Sequence, residues 1–333
     1  MGVDALSQGV GASRFLVVGG AGFIGGHFTD FLLADQRVEA VTVYDNFSSG
    51  RRWHLAAHES DPRLTIVEAD VKDLAALVDA AGGHEVVIHL ASNPDIARAA
   101  TEPSVDFDEG TLLTHHVLEA ARIAGVHTFL YASGSGVYGD LGTIEAEEDH
   151  GPLIPISTYG ASKLAGEAMI ASYCHMFGLR GRAFRFGNVV GPRQTHGVGF
   201  DFVRRLLQEP DHLPILGDGQ QSKSYLYISD VIEAVLTALR NEDRAYHVYN
   251  VATGDYITVT EIADLSIECV GLQRGAVRLE YTGGDRGWKG DVPIVRLNSD
   301  RIRALGWANK RMSRESLRDS MLAMIPDVRA GRQ

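Results

Sequence analysis

The chain has 333 residues, of which 45% are hydrophobic and 22% charged, so it can bury a full core without disulfides or bound metals. Its formal net charge of −12 argues against broad adhesion to nucleic acid or an anionic membrane, which would require an extended basic surface. Cys174 and Cys269 lie far apart without a C-x-x-C spacing, which indicates neither a disulfide scaffold nor a zinc site. Residues 1–13 are expected to form a flexible terminus. We find no signal peptide and no transmembrane run, which predicts a cytoplasmic protein.

Short apolar runs alternate with amphipathic stretches from Phe15 onward. The runs FLVVGG, AVTVYD, LTIVEAD, EVVIHLAS and HTFLYASG each precede or follow a helical pattern, which predicts a parallel sheet. Because the runs are almost continuously apolar, helices should cover both faces of that sheet. The pattern predicts an α/β protein with a doubly wound, parallel-sheet Rossmann fold.

A glycine-rich turn, GGAGFIG, directly follows the first predicted strand. Gly19 permits the tight turn, Gly22 lets a pyrophosphate approach the backbone, and Gly25 lets the next helix pack closely on the strand. The N-terminus of that helix would face the phosphates. With Phe23 and Ile24 in the same turn, this segment predicts a dinucleotide site.

The second predicted strand ends at Asp45, twenty residues beyond Gly25. A carboxylate there can accept hydrogen bonds from both hydroxyls of the adenine ribose, and it would repel the 2′-phosphate of NADP. Arg51 and Arg52 lie close enough to pair with such a phosphate instead. We predict NAD as the cofactor. Further predicted cofactor contacts follow strand ends, where ligands collect in open α/β sheets: Asn46, Ser48, Asp70, Val71, Leu90, Ala91 and Ser92.

Tyr159 and Lys163 lie four positions apart in the predicted helix STYGASKLAGEAMIASY, so both side chains share a face. An ammonium near the phenol favours phenolate and lowers the pKa of the tyrosine, so Tyr159 could take a proton from an alcohol near neutral pH. Lys163 could also bind the nicotinamide ribose. A surface pair is the common alternative for two such residues, and the upstream glycine turn favours the chemical interpretation.

The alternation weakens after Gly191, where prolines and a GDGQQ turn interrupt it. We predict an NAD-binding Rossmann domain over residues 14–190, to which a segment at roughly 222–255 returns. A smaller C-terminal α/β lobe that binds substrate is expected over residues 191–221 and 256–333. Without a low-complexity tract between them, the two parts should be closely packed.

The motifs GGAGFIG, YDN, YASGSGVYG and YGASK together resemble those of the extended short-chain dehydrogenase/reductase family, over nearly the whole chain. The later segments RFGNVVGPR, ILGDGQQ, KSYLYISD and GDRGWKGDVP are similar to those of its nucleotide-sugar epimerases, notably the UDP-glucose and UDP-glucuronate 4-epimerases. The resemblance implies inversion of C4 in a UDP-sugar through a transient 4-keto intermediate. Tyr159 would remove the 4-hydroxyl proton while a hydride passes to NAD and then returns to the other face.

The chain departs from the family at Gly134, where a catalytic serine or threonine usually stands. Ser133 and Ser135 flank this position, and we expect Ser135 to supply the hydroxyl, with Ser133 as the alternative. Ser135 and Gly136 also occupy the positions of the Asp-Glu pair of sugar 4,6-dehydratases. Decarboxylases of the family usually carry a glutamate in place of Gly136, so the segment argues against both of these activities.

The resemblance also implies a set of substrate contacts in the second lobe. Asn188 and Lys223 would meet the diphosphate, Asp291 the nucleotide ribose, and Pro214 and Leu216 the base. Lys223 replaces the more usual arginine of the family.

A second departure is Trp288, which stands where many family members have a phosphate-binding arginine. Arg286, two residues earlier, is the expected substitute. Arg193, Thr195 and His196 are candidates for recognising a sugar carboxylate, which would select a uronic acid over a hexose.

Several functions remain open at this point. The leading substrate pairs are UDP-glucuronate with UDP-galacturonate and UDP-glucose with UDP-galactose. A nucleotide-sugar dehydrogenase or reductase would release reduced cofactor, a decarboxylase would lose CO₂, and a non-catalytic dinucleotide-sensing regulator would only bind. The stretches 112–121 and 161–173 resemble those that form the family's dimeric four-helix bundle, which implies a homodimer. We predict no metal, nucleic-acid or membrane partner.

Overall fold

The structure, a computed structural model, describes residues 9–332. In chain order the strands are β1 (Arg14–Val18), β2 (Ala40–Asp45), β3 (Leu64–Glu68), β4 (Val86–His89), β5 (Thr128–Gly134), β6 (Arg180–Phe186), β7 (Asn188–Val190), β8 (His212–Ile215), β9 (Ser222–Lys223), β10 (Tyr225–Tyr227), β11 (Tyr246–Val251), β12 (Ile257–Thr258) and β13 (Arg278–Tyr281). The α-helices are α1 (Phe23–Ala34), α2 (Leu74–Ala81), α3 (Leu112–Ala124), α4 (Thr158–Phe177), α5 (Val198–Gln208), α6 (Ile228–Asn241), α7 (Val259–Cys269), α8 (Asp300–Ala304) and α9 (Ser313–Arg329).

A seven-stranded parallel sheet with the order β11-β6-β5-β4-β1-β2-β3 forms the centre of the molecule. Helices α1 and α6 pack on one face through residues such as Phe28 and Val231, and α2, α3 and α4 pack on the other through residues such as Leu77 and Ile170. The strand order reverses at β1, which lies between β2 and β4. This reversal opens a crevice at the carboxyl ends of the strands. The predicted doubly wound Rossmann fold is confirmed.

Local signals fix where the helix that carries Tyr159 begins and ends. The Ser157 hydroxyl accepts a hydrogen bond from the backbone N–H of Gly160 at 3.0 Å, which caps the first turn of α4. The helix ends at Phe177 and is followed by the cap residue Gly178, whose φ of 76° lies in the left-handed region. Tyr159 therefore stands in the first turn of the helix, at the crevice end of the sheet.

A smaller lobe contains the strand pairs β7–β10, β9–β12 and β8–β13. Helices α5, α7 and α9 enclose its core around Phe200, Ile262 and Leu317. The expected extent of this lobe is wrong at one place, because Ile302 and Trp307 pack into the core of the first domain. The indole N–H of Trp307 donates to the carbonyl of Asp230 at 2.9 Å, which ties the segment to α6.

The N-terminal segment packs on the first domain from residue 9 onward, so the expectation of a flexible terminus over residues 1–13 is wrong for its second part. Val10 is 2% exposed, and the carbonyl of Gly9 accepts a hydrogen bond from Arg240 at 3.0 Å. The Ser13 hydroxyl donates to Glu85 at 2.8 Å. Residues 1–8 lie outside the described residues. Between residues 9 and 332, the helices are too short or too polar to cross a membrane.

Candidate active site

The glycine turn before α1 has the shape that a bound pyrophosphate requires. Gly19 has φ +80°, and a Cβ there would lie 2.6 Å from the backbone nitrogen of Ala91. A Cβ on Gly25 would lie 2.4 Å from the carbonyl oxygen of Gly19. The N-terminus of α1, at Gly22, has neither a side-chain cap nor an acidic residue in its first turn, so its N–H groups can face an anion. The residues fit a dinucleotide.

The carboxylate of Asp45 is fixed at the end of β2. It accepts hydrogen bonds from the backbone N–H groups of Ala21 at 2.9 Å and Phe47 at 2.8 Å, while burial raises its pKa. Arg52 forms an ion pair with Glu68 and stacks over the Phe47 ring at 4.6 Å from its centroid. Since Glu68 already neutralises Arg52, the pocket favours the unphosphorylated ribose of NAD.

Other predicted cofactor residues gather around the same turn. The Asn46 amide donates to the Asp70 carboxylate at 3.3 Å, and the backbone N–H of Ser48 donates to Asn46 at 3.0 Å. Phe23 and Ile24 pack against the core beneath the turn. These contacts bring the ends of β2 and β3 together beside the glycine turn.

The end of β4 contributes mainly backbone to the crevice. The N–H groups of Leu90 and Ala91 donate to the carbonyl of Val18 at 2.9 and 3.1 Å, which continues the sheet to its edge. The Val71 side chain is 6% exposed and packs in the core beneath the crevice, so it does not line the crevice surface. Ser92, the next residue after Ala91, lies within hydrogen-bonding reach of the Tyr159 phenol.

Tyr159 and Lys163 form one unit on the first two turns of α4. The Lys163 ammonium, 3% exposed, donates to the carbonyl of Ala132 at 2.8 Å. Its nitrogen lies 5.5 Å from the centroid of the Tyr159 ring and 5.2 Å from that of Tyr131. The pair is therefore held by strand β5 and by the helix together.

The electrostatics of this pair differ from our expectation. Burial raises the pKa of Tyr159 to about 12, and the Asp106 carboxylate raises it further because it opposes a second negative charge. Burial lowers the pKa of Lys163 to about 8, against the opposite effect of Asp106. Burial of the phenol thus opposes the expected phenolate in the protein alone, and the role of Tyr159 as a proton acceptor stays a prediction.

Asp106 is a site residue that the sequence motifs did not reveal. It is 1% exposed and accepts hydrogen bonds from the Asn93 amide at 2.9 Å and from the Thr158 hydroxyl at 2.7 Å. It immediately precedes the π-helical turn that leads into α3. The carboxylate thereby joins the loop after β4 to the residue before Tyr159.

Ser133, the alternative for the hydroxyl missing at position 134, lies in the interior. Its hydroxyl donates to the carboxylate of Glu167 at 2.6 Å inside the protein. Glu167 in turn pairs with Arg185 at 2.7 Å, and both side chains are at most 5% exposed. The prediction for Ser133 is therefore wrong, because alternation along β5 turns this side chain into the interior.

Ser135 lies at the start of the short turn that follows β5. It lines a cleft together with Ala146, Val295 and Leu297. Between these two serines, Gly134 has an extended backbone with φ −165° and ψ 163°, and a Cβ added there would meet no atom within 4 Å. Nothing in the backbone or the packing requires glycine at this position.

The predicted phosphate and ribose contacts lie together but pair with one another. The Lys223 ammonium lies 2.7 Å from the Asp291 carboxylate, which is 4% exposed. Arg286 donates to the carbonyl of Asp291 at 2.6 Å and pairs with Asp140 at 2.5 Å. A diphosphate would therefore enter a cluster in which each cation already has an acidic partner.

The loop that contains this cluster borders the helix of Tyr159. A Cβ on Gly290 would lie 3.4 Å from the Cβ of Ser157, the cap residue of α4. Trp288 is 39% exposed, and the Lys223 ammonium lies 5.4 Å from the centroid of its ring. Leu216, 52% exposed, approaches the same loop at Gly287.

Two further predicted contacts lie on neighbouring strands. The backbone N–H of Asn188 donates to the carbonyl of Ser224 at 3.1 Å, which places Asn188 at the start of β7. The carbonyl of Pro214 accepts a hydrogen bond from Arg205 at 3.4 Å, within β8 and next to Leu216. Their roles toward a substrate stay predictions.

The role expected for Arg193 is not supported. Its guanidinium pairs with Asp30 on α1 and donates to the carbonyl of His54 at 2.7 Å. The residue has φ 64°, so the local backbone turns the side chain toward α1. Thr195 and His196 follow on the same loop, and His196 is exposed. Since Asp30 already neutralises Arg193, the guanidinium connects its own loop to α1 and is not available to a sugar carboxylate.

Comparison with known proteins identifies this arrangement. Residues 15–252 match the profile of the NAD dependent epimerase/dehydratase family. The chain belongs to this family.

Members of this family resemble the chain over most of its length. The UDP-glucose 4-epimerase of Mycolicibacterium smegmatis is 36% identical over 232 residues, which cover 68% of this chain and 72% of that protein. A crystal structure of UDP-galactose 4-epimerase has 37% identity and a TM-score of 0.83, and the match covers 94% of this chain and 99% of that one. A dTDP-glucose 4,6-dehydratase of Streptomyces venezuelae, with NAD bound, has 29% identity and a TM-score of 0.85, with coverages of 93% and 96%.

Membership in the epimerase/dehydratase family confirms the predicted resemblance to extended short-chain dehydrogenases/reductases. It also confirms that the protein is an enzyme and that NAD is its cofactor. The glycine turn and Asp45 are the residues of this chain that would hold the dinucleotide.

Proposed function

We propose that this enzyme is a UDP-sugar 4-epimerase that interconverts UDP-glucose and UDP-galactose. One observation carries the proposal: the turn after β5 has Ser135 and Gly136 where an eliminating enzyme of the family carries acids. Gly136 lies against Gly160, since a Cβ there would be 3.5 Å from the Gly160 Cα. Without an acid at that point, the chemistry is limited to oxidation and reduction at one carbon.

The chain's own residues supply the proton transfers. Burial raises the pKa of the Tyr159 phenol in the protein alone, which opposes its ionisation. NAD, held at the glycine turn, would accept the hydride from C4 and return it. In its phenolate form, Tyr159 takes the proton of the 4-hydroxyl and gives it back after the 4-keto sugar has turned. The Lys163 ammonium, fixed by Ala132, offsets the charge of the transient phenolate.

A neutral hexose suits this site better than a uronic acid. Arg193, the candidate for a sugar carboxylate, is paired with Asp30. Lys223 and Arg286 are paired with Asp291 and Asp140. A second negative group on the substrate would have to break one of these pairs, and an unpaired charge in a closed site is costly.

The test is incubation of the purified enzyme with UDP-glucose, UDP-glucuronate or dTDP-glucose, followed by proton NMR of the sugar. We expect UDP-galactose to form without added reductant, and we expect Tyr159→Phe to abolish this while bound NAD remains. Formation of a 4-keto-6-deoxy sugar would contradict epimerisation, as would stoichiometric NADH. An absence of turnover on every sugar would favour a sensor.

We also propose that the enzyme is a homodimer built on α3 and α4. Exposed apolar side chains near the C-terminal ends of these helices support this, namely Ile123, Met176 and Phe177. Light scattering coupled to size-exclusion chromatography should give twice the chain mass, and a monomeric mass would contradict it. The cytoplasmic location stays a prediction.

A further inference from the structure

We propose that Ser92 supplies the hydroxyl partner of Tyr159, in place of the serine or threonine that is missing at position 134. This assigns a positioning residue to the loop after β4, whereas the sequence pointed to the loop after β5. The inference rests on the proposed role of Tyr159 as the group that accepts the substrate proton. It concerns the phenol itself, so it can be tested without a turnover assay.

The hydroxyls nearest to position 134 in the sequence do not serve this purpose. Ser133 donates to Glu167 at 2.6 Å in the interior. Ser135 lines a cleft with Tyr138, Val295 and Leu297, and it is not a hydrogen-bond partner that shifts the pKa of the phenol. Position 134 itself has open space where a side chain would stand.

A hydrogen-bonded bridge joins the residue after Ser92 to the residue before Tyr159. Asp106 accepts from Asn93, which follows Ser92, at 2.9 Å, and from Thr158, which precedes Tyr159, at 2.7 Å. Asn93 donates to one oxygen of the buried Asp106 carboxylate, and Thr158 donates to the other. The loop after β4 and the first turn of α4 are thereby fixed to each other at adjacent residues.

The Ser92 hydroxyl acts on the phenol in the direction that catalysis needs. Burial and then Asp106 raise the pKa of Tyr159, whereas the Ser92 hydroxyl, as a hydrogen-bond partner of the phenol, lowers that pKa. A donor to the phenolate oxygen stabilises the charged form of the tyrosine. Ser92 therefore counteracts part of the unfavourable environment of the buried base.

The experiment is a pH titration of the Tyr159 phenol in the NAD-loaded enzyme, by NMR of ring-labelled tyrosine. The Tyr159→Phe variant identifies the signal. We expect Ser92→Ala to raise the pKa by about one unit, a roughly tenfold smaller phenolate fraction at a given pH. The matched variant Ser135→Ala should leave the phenol pKa unchanged. Thermal unfolding of each variant checks that the fold is intact.

A rescue variant separates this positioning role from a structural one. Gly134→Ser in the Ser92→Ala background places a hydroxyl in the open space at position 134 and should recover at least half of the shift. The inference is overturned if Ser92→Ala leaves the phenol pKa unchanged, if Ser135→Ala shifts it instead, or if the second serine gives no recovery. A shift in an enzyme that converts none of the nucleotide sugars would uphold this inference while refuting the proposed function.

Discussion

Replacing Lys163 by methionine should stabilise the NAD-free protein at pH 7. Burial lowers the pKa of Lys163 from 10.5 to about 8, and at about 1.4 kcal/mol per unit this corresponds to a penalty of about 3 kcal/mol for the buried ammonium. Methionine has a similar length and no charge, so it removes that penalty. It also leaves the carbonyl of Ala132 without its donor, which costs roughly 1 kcal/mol. We expect a net gain of about 1–2 kcal/mol in the free energy of unfolding.

The pH dependence of this gain is the sharper test. Below pH 8 the lysine is charged in both the folded and the unfolded state, so the whole penalty is present. Between pH 8 and 10.5 the unfolded state binds more protons than the folded state, and the wild-type protein gains stability as the pH rises. Lys163→Met lacks this gain. Its advantage should shrink with rising pH and reverse at about pH 10, where less than about 1 kcal/mol of the penalty remains.

Thermal or urea unfolding of the NAD-free proteins at pH 7 and at pH 10 measures the effect. With an unfolding entropy of about 2.1 cal/mol/K per residue over 333 residues, the expected gain at pH 7 raises Tm by about 2 °C. Lys72→Met, at an exposed lysine, should change the stability by less than about 0.5 kcal/mol at either pH. A loss of stability in Lys163→Met at pH 7, or a difference independent of pH, would refute the reasoning.

Three other changes test the cofactor site and its support. Gly25→Ala places a Cβ 2.4 Å from the Gly19 carbonyl oxygen, so NAD affinity measured by calorimetry should fall at least about tenfold; unchanged affinity would disprove the tight packing. Asp45→Ser removes the charge that repels a 2′-phosphate, so the ratio of NAD to NADP affinity should fall at least about tenfold, and a retained preference would locate the discrimination elsewhere. Glu167→Gln leaves the buried Arg185 without a counter-charge and should cost about 3 kcal/mol in urea unfolding; a change below about 1 kcal/mol would show that the pair is dispensable.

The parts of the site that the sequence predicts correctly are those set by local spacing. Gly19 and Gly25 act within one strand-to-helix turn, and Tyr159 and Lys163 lie one helical turn apart. Asp45 ends a strand that is recognisable from its apolar run. In each case the residues that determine the geometry are close in the sequence, so their spacing predicts how the side chains are arranged.

The incorrect predictions concern side chains whose partners come from distant elements. Arg193 binds Asp30, which is 163 positions away in the sequence. Trp307 packs on α6 through Asp230, although it lies in the segment assigned to the second lobe. A charge or an indole in a loop has no periodicity that would identify its partner. Similarly, Asp106 belongs to no motif, and its importance follows only from its contacts with Asn93 and Thr158.

The anchoring of α4 explains how position 134 can be glycine in a chain that keeps Tyr159 and Lys163. Glu167 lies one turn beyond Lys163 on the same face of the helix and is held by Ser133 and Arg185, on β5 and β6. The hydroxyl at the end of β5 therefore fixes the helix instead of approaching the phenol. Since β4 is the parallel neighbour of β5, its carboxyl end opens at the same edge of the sheet. A hydroxyl from the loop after β4 can then reach the phenol without any change in the strands or in the helix.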